Sequence, residues 1–332
     1  MKQKFFNSDR LLMLIGALIC LLVVGYTENM FHLRFRYDVI RDFNSGDLAK
    51  VKRNDKFGLI NRSGIELVPP KYDSIGDFCQ GLAVVELNNQ YGFIDAQGKV
   101  VIPIKYTHAR DFSEGLAGVE LNDQAGFIDK QDRVVIPLKF DSVNDFQGGV
   151  AIVSLKDKRG IIDKQGKEVV PLKYDNIWDF SEGLALVELD DRYGYIDLRG
   201  KVVIPIKYTT ASDFSEGLAV VELEEYGFIN KQGRMVIPPI YDDADSFSEG
   251  LAAIELNGWW GYIDKKGTLV IPPKYLRADP FFKGFGWAES RTNGWTYIDH
   301  TGYEFGTDME EALRVRDVRQ RNLSISSNSS KK

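Results

Sequence analysis

An all-β repeat domain, an open twisted stack (β-solenoid-like) of about eight three-stranded units, is the fold class this sequence predicts. Three observations carry it. An aromatic anchor recurs as Tyr37, Tyr72, Tyr106, Phe140, Tyr174, Tyr208, Tyr241 and Tyr275, at steps of 35, 34, 34, 34, 34, 33 and 34 residues. Between anchors, short runs rich in β-branched residues alternate with Gly, Asp and Pro turn signals, which is the chemistry of strands rather than helices. The first and last units are irregular, as the capping units of a stacked array are. The alternative is a closed seven- or eight-bladed β-propeller, since about seven or eight units could close a ring. Against the ring, 34 residues hold three strands comfortably, whereas blades of the WD type use four strands in about 40–45 residues.

Taken in chain order, residues 1–10 carry Lys2, Lys4 and Arg10 ahead of an apolar run, 11–26, of 16 residues without a charge. Extended to residue 31, the run reaches the roughly 20 residues that a helical membrane span requires. The basic flank orients such a segment with its N-terminus in the cytoplasm. No convincing small-x-small cleavage site follows, so 11–31 is expected to be an uncleaved transmembrane signal anchor rather than a signal peptide. A short linker, 32–36, leads to the repeats at 37–305.

The second unit shows the pattern. Tyr72-Asp73-Ser74-Ile75 opens it, and Gly81-Leu82-Ala83-Val84-Val85-Glu86-Leu87 reads as a strand. Tyr91-Gly92-Phe93-Ile94-Asp95 and Lys99-Val100-Val101-Ile102-Pro103 then read as a hairpin. Asp95 opens the intervening turn by accepting from its backbone, and Gly98 supplies the left-handed residue. Pro103 has no donor for a ladder, so its strand must stop there or lie at an edge. Gly92 follows a large aromatic, which points to close approach of another backbone with the ring covering the gap.

The phrases YGFIDAQGKVVIPIKY, RYGYIDLRGKVVIPIKY and WWGYIDKKGTLVIPPKY, with DFSEGLA following at 111–117 and 213–219, resemble the WG-repeat family of bacterial proteins. The Trp-Gly pair itself stands intact as Trp260-Gly261; Tyr or Phe otherwise replaces the Trp, and Ala125 and Arg159 abandon the aromatic. The resemblance implies a β-rich repeat domain with cell-envelope or interaction roles. It brings no catalytic residue with it.

After the repeats, Thr307-Asp308-Met309-Glu310 fits a capping box, so a short helix is expected over 306–323. Residues 324–332, SISSNSSKK, have the composition of a disordered tail.

Composition limits the function. The repeats hold 31 basic against 42 acidic side chains, and an acidic array repels the phosphates of nucleic acid. His32, His108 and His300 are far apart and lack metal-ligand spacing, so neither a metal nor a cofactor is expected. Nucleophile elbows, phosphate loops and Cys/His pairs do not occur, which leaves an enzyme with an unrecognised site as the third-ranked reading. The acidic DFSEG loops, with Asp111, Glu114, Asp179, Glu182, Asp213 and Glu216, recur in most units. They are read as loop caps on a solvated rim rather than calcium ligands.

A residue repeated in every unit serves the framework, and a site belongs where the pattern falters. Tyr72, Gly92, Asp95, Gly98, Pro103, Trp260 and Gly261 are framework positions on this reasoning. His108 and Arg110 stand in a connector where other units have Ser74, Ser142 or Asn176. Trp259, Trp260, Trp287 and Trp295 fall in the last two units together with Phe281, Phe282 and Phe285. A packed C-terminal cap accounts for this concentration, and a binding platform is the competing account. Trp260 and Trp295 are expected in the core and Trp259 and Trp287 at the surface. The candidate partner surface is therefore Trp259, Trp287, Phe281, Phe285, His108 and Arg110. The function expected is a membrane-anchored scaffold that binds a protein or envelope polymer outside the cytoplasmic membrane, periplasmic or at the cell surface. A cell-wall carbohydrate-binding protein using the Trp-rich units is the alternative.

Overall fold

The computed structural model describes residues 36–40 and 48–329, with side chains through residue 319. The expected signal anchor, 11–31, lies outside the described residues. Among those described, no helix is long and apolar enough to cross a membrane. The described residues divide into two compact bodies, one of those up to residue 155 with 164–166, the other of 156–163 and those from 167 onward.

In both bodies the repeat is an antiparallel meander of four strands, not three. The three expected strands of the second unit form as Leu82–Leu87, Gln90–Asp95 and Val100–Tyr106. The fourth is Ser74–Ile75, two residues just after the anchor, which pair with Glu86 and Val85. So short a segment leaves no periodicity for a sequence pattern to register. Strand count therefore no longer separates a stack from a ring of four-stranded blades. The first body adds complete sheets before and after this one, opening at Val39–Ile40 and His108–Ala109. The second body adds sheets opening at Asn176–Ile177 and Thr210–Ala211. It closes on a six-stranded sheet, because the strand Leu269–Ala278 continues through its anchor, Tyr275, and joins the last two repeats.

Proline does not end its strand: Val100–Tyr106 runs three residues past Pro103, at the edge of its sheet. Pairing passes from Tyr91↔Tyr106 to Phe93↔Ile102, so Pro103, Ile104 and Lys105 bulge over Gly92. A Cβ on Gly92 would lie 2.7 Å from the Ile102 carbonyl oxygen and 2.8 Å from Ile104 Cα. The bulge is why the Trp-Gly position needs glycine, and the residue before it, Tyr91, faces the anchor Tyr106 across the pair. In the turn, Asp95 Oδ1 accepts from Gln97 N at 3.0 Å and Lys99 N at 2.9 Å, while Gly98 takes φ +79°.

Neighbouring repeats meet through aromatic pairs. In the first body Phe93 packs on Phe112 at 5.0 Å and Phe127 on Phe146 at 4.7 Å. In the second the pairs are Tyr195–Phe214, Phe228–Phe247 and Tyr262–Phe281, at 4.9, 5.0 and 5.0 Å. Tilted contacts of this kind are worth about 0.5–1.5 kcal/mol each beyond the area they bury.

The DFSEG loops tie repeats together rather than capping themselves. Ser181, Ser215 and Ser248 donate to the carbonyl oxygens of Phe214, Phe247 and Phe281 in the next repeat, at 2.7, 2.7 and 2.6 Å. Glu182, Glu216 and Glu249 accept from the amides of Gly217, Gly250 and Gly284 at 3.2, 3.0 and 2.8 Å. Lys231 Nζ then reaches Glu182 at 2.8 Å and Lys265 Nζ reaches Glu216 at 3.1 Å. The first body repeats the device with Glu114, Gly149 and Lys164. Hydrogen bonding to these lysines holds the Glu114 and Glu182 carboxyls below the usual range. Each glutamate clasp thus joins successive units, the nearest-neighbour coupling a repeat array requires.

The C-terminal helix, Met309–Ser329, extends past the expected 306–323 into the segment read as a disordered tail. Its cap is Asp308 rather than Thr307: Asp308 Oδ1 accepts from Glu310 N at 2.8 Å and Glu311 N at 3.1 Å. Ala312 is fully buried, the Arg316 guanidinium lies 4.5 Å over the Phe285 ring, and Arg319 lies 3.6 Å over Tyr303. The helix covers the last sheet where a further repeat would otherwise sit.

Candidate functional site

The Trp-rich end is a cap. Phe281 and Phe285 are 1% and 3% exposed, so neither offers a surface. Phe281 is held between Tyr262 and His300, at 5.0 and 4.3 Å, and Phe285 lies beneath Arg316. Trp287 stacks on Trp295 at 5.6 Å and 11°, with Tyr297 tilted against it at 4.3 Å. Trp259, Trp260, Trp287 and Trp295 are all half-buried, so the expected division into core and surface rings does not hold. The exposed ring of this group is Phe282, at 67%. The cause is the long strand Leu269–Ala278 together with the helix, which put packing partners on both sides of the last hairpin.

His108 is exposed and meets Tyr91 edge-on at 5.6 Å. Arg110, two residues on, makes a 2.8 Å ion pair with Asp145 in the following connector. The arginine, together with Val143, also accounts for an irregular glycine. A Cβ on Gly118 would lie 2.9 Å from Val143 Cγ2 and 3.2 Å from Arg110 Cδ. Where the equivalent strand of the preceding repeat has Val84, Gly118 leaves the room that the longer side chain fills. His108 and Arg110 belong to the first body and the tryptophans to the second.

In each body the connectors recur at the same place in the repeat. From Tyr72 onward, the second residue after the anchor is Ser74, His108, Ser142, Asn176, Thr210, Asp243 or Arg277, and the fourth is Gly76, Arg110, Asn144, Trp178, Ser212, Asp245 or Asp279. Beside them, a glutamate of the first hairpin strand stands directly across from the residue preceding the repeat glycine: Glu86↔Tyr91, Glu188↔Tyr193, Glu222↔Tyr226 and Glu255↔Trp260. The aromatic partners are half-buried, leaving part of each ring accessible. Burial, reinforced by the facing glutamate, pushes up the Tyr91, Tyr193 and Tyr226 hydroxyls, which stay neutral donors.

Carboxylates line these connectors, and the two bodies treat them differently. In the first, Lys50 Nζ pairs with Asp77 at 2.7 Å and Arg110 Nε with Asp145 at 2.8 Å. Between them the Asp111 carboxyl is pushed up, first by burial and then by its like-charged neighbours Asp145 and Asp77. In the second body, burial and then Asp179 raise Asp213, and burial followed by Asp243 and Asp279 raises Asp245. Among the described residues, Asp213, Asp245 and Asp279 make no ion pair. Sequence reasoning set Asp213 aside as a loop cap and did not single out Asp245 or Asp279. The available signal was the fourth connector position, where Asp replaces Gly, Asn and Ser. Among the described residues, no group of three His, Cys, Asp or Glu side chains is placed to hold a metal ion.

No curated protein matches the sequence. Among solved structures, the chain is similar to a eukaryotic initiation factor, at 12% identity over 80% of this chain and 86% of that one, with a TM-score of 0.45. It is also similar to BamB from Moraxella catarrhalis, at 10% identity over 78% and 95% with a TM-score of 0.38. A third likeness is to the computationally designed Ika8 protein, at 11% identity over 77% and 94% with a TM-score of 0.36. The family model described as WG containing repeat matches eight consecutive segments: 33–57, 57–91, 91–124, 126–158, 160–193, 193–225, 226–258 and 260–290. Those segments cover the repeats described above, and the chain belongs to the WG containing repeat family.

Proposed function

We propose that this protein is a non-catalytic interaction scaffold, anchored in the cytoplasmic membrane by residues 11–31 with its repeats displayed outside, and that the connectors engage a protein partner. One observation carries the reading. The bulge glycine, Asp turn and clasp recur with little change, while the second and fourth connector residues differ in size, charge and polarity from one repeat to the next. A framework held constant beneath changing, half-buried to exposed side chains suits recognition. It gives no reason for eight copies of a catalytic centre.

The wall-polysaccharide reading has less support, because Trp287 spends one ring face on Trp295 and Phe281 and Phe285 are buried. Retention of solubilised envelope proteins on the immobilised full-length chain tests the scaffold. Replacing Asn176, Trp178, Thr210 and Ser212 together by Ser, Gly, Ser and Gly, the residue types of the second unit, should abolish retention while the circular dichroism spectrum is unchanged. Undiminished retention would remove the connectors from the proposal. Topology is checked separately by protease shaving of intact cells, where full protection of the repeats would place them in the cytoplasm.

A further inference from the structure

Charge in the second body is sorted by place in the repeat. The connectors at 175–183, 209–217 and 242–250 hold nine acidic side chains and no basic one, whereas the turns and proline-bearing strands at 198–208, 231–241 and 265–278 hold nine basic and no acidic. The net acidity of the repeats therefore conceals a strip of opposite sign. Lys231 and Lys265 reach back to the clasp glutamates, but among the described residues Lys201 and Arg234 make no ion pair. The same strands carry exposed aliphatic side chains, namely Val202, Met235, Val236, Ile240, Leu269 and Val270. A bulge causes part of this exposure. Ile229 pairs with Met235 and Phe228 with Ile237, so Val236 is left over in the ladder, and its strand has no neighbour on the other side to cover it. The strand Leu269–Ala278 is open in the same way ahead of Tyr275, where the next strand begins to pair. Successive strands adjoin. Would-be Cβ atoms on Gly233 and Gly267 lie 3.4 and 3.3 Å from Ile204 and Ile237 of the preceding repeat, so each turn abuts the strand before it and cations alternate with aliphatics along one band. Single exposed aliphatics are ordinary, but a band repeated beside cations marks a contact surface.

We propose that this band of the second body rests on the surface of an anionic lipid bilayer, with its cations at the level of the phosphates and its aliphatic side chains entering the headgroup boundary. This rests on the anchored-scaffold reading and adds the surface against which the scaffold is held. The pairing of side-chain types selects lipid. An anionic bilayer rewards cations and aliphatic area together, whereas a soluble polyanion rewards the cations alone. The bilayer is also within reach, because the proposed anchor ends at residue 31, the described residues begin at 36, and the stretch between spans at most about 18 Å. The short strand of each acidic connector forms the opposite edge of its sheet, and beyond about 8–10 Å at physiological salt its charge is screened from the lipid.

The test uses full-length protein carrying Cys20→Ala and Cys79→Ser, reconstituted singly into lipid nanodiscs of phosphatidylcholine, alone or with an equal part of phosphatidylglycerol. A polarity-sensitive nitrobenzoxadiazole fluorophore is attached through Val236→Cys, and in a control through Thr210→Cys on a connector. In the phosphatidylglycerol discs the emission from residue 236 should shift to the blue and be quenched by doxyl-labelled lipid, and added salt should reverse both. Emission from residue 210 should be the same in the two discs. A cation beside an anionic surface is worth about fivefold in partitioning, so Lys201→Gln with Arg234→Gln should lower the docking equilibrium about twentyfold. Circular dichroism checks that the variants remain folded. Equal emission from residue 236 in the two discs would overturn the proposal. So would undiminished docking after Met235→Ser with Leu269→Ser, which would mean a site for polyanions at large. A shift that follows protein concentration in detergent, and not lipid, would overturn it in favour of a second copy of the chain. If the chain enters both discs but residue 236 stays in water, the anchored scaffold stands and the docking alone falls. If the chain enters neither disc, the anchor and the docking fall together, while connector replacement still tests the protein partner.

Discussion

Replacing Gly194 by Ala tests whether the edge strand passes too close for any side chain. A Cβ there would stand 2.7 Å from Ile206 Cα and 2.8 Å from both Ile204 O and Ile206 N. Ordinary contact begins at 3.4 Å, so the shortfall is 0.6–0.7 Å against three backbone atoms at once. No flexible side chain can yield; the bulge at Pro205 must open or the strand Val202–Tyr208 must shift. Overpacking of this kind costs about 1–3 kcal/mol. The stiffer unfolded chain of Ala returns about 0.4–1 kcal/mol of that. The net expectation is a loss of about 1–2 kcal/mol for Ala, and more for the larger Asn. Gly217 is the control, because it takes φ +89° with open space around its would-be Cβ. There Asn, which tolerates left-handed backbone better than most residues, still meets a φ that side chains rarely adopt and should cost about 1 kcal/mol from backbone strain alone. Urea unfolding should be followed by amide hydrogen exchange in the strands Arg192–Asp197 and Val202–Tyr208, since a repeat array opens locally. If Gly194→Asn cost less than about 0.5 kcal/mol, or no more than Gly217→Asn, the close-approach argument would fail.

Glu182→Gln should weaken the clasp to Lys231 and Gly217 by at most about 1 kcal/mol, as expected of a partly exposed pair. Because the Glu182 carboxyl is held below its usual value, that stability is present above the unfolded-state pKa and disappears as pH falls through the folded one. Wild type and variant should therefore converge in urea midpoint in acid, and a constant difference would contradict the clasp. Asp245→Asn should act in the opposite direction. Its raised carboxyl makes the folded state bind protons more tightly, so stability falls as pH rises through the folded pKa, and the variant should gain about 0.5 kcal/mol at neutral pH and nothing well below the unfolded value. Arg316→Ala should speed hydrogen exchange in the strands Gly286–Ser290 and Gly294–Ile298 but not in Gln90–Asp95, because it uncovers Phe285 at the end of the second body; unchanged exchange would deny the helix its capping role.

Much of the unit was legible because the chain repeats it. The turn at Asp95–Gly98 and the crowding at Gly92 follow from residue types that have few other reasons to recur. The two-residue strand Ser74–Ile75 was not legible, since two residues carry no period. Position alone also concealed the difference between Asp213 and Glu216, neighbours in one loop with separate tasks. The glutamate reaches forward to the amide of Gly250, while the aspartate lies beside other carboxylates, and only three-dimensional placement separates capping from repulsion. At the C-terminus, the count of tryptophans pointed to the right region. It could not show that Trp287 and Trp295 would stack on each other and withdraw ring surface from any ligand.

Every complete four-stranded sheet is bounded by one strand of two residues and by one that carries a proline and a bulge. Tandem copies of nearly one sequence are a hazard during synthesis, because any strand can pair with its counterpart in the wrong repeat or in another molecule. Here neither border is a usable template: the short strand offers too few amides, and the other lacks a donor at Pro103 and bends away at Gly92. The residues that shape the repeat therefore also guard against fibrillar assembly and repeat swapping, so proteins can crowd together without their sheets fusing.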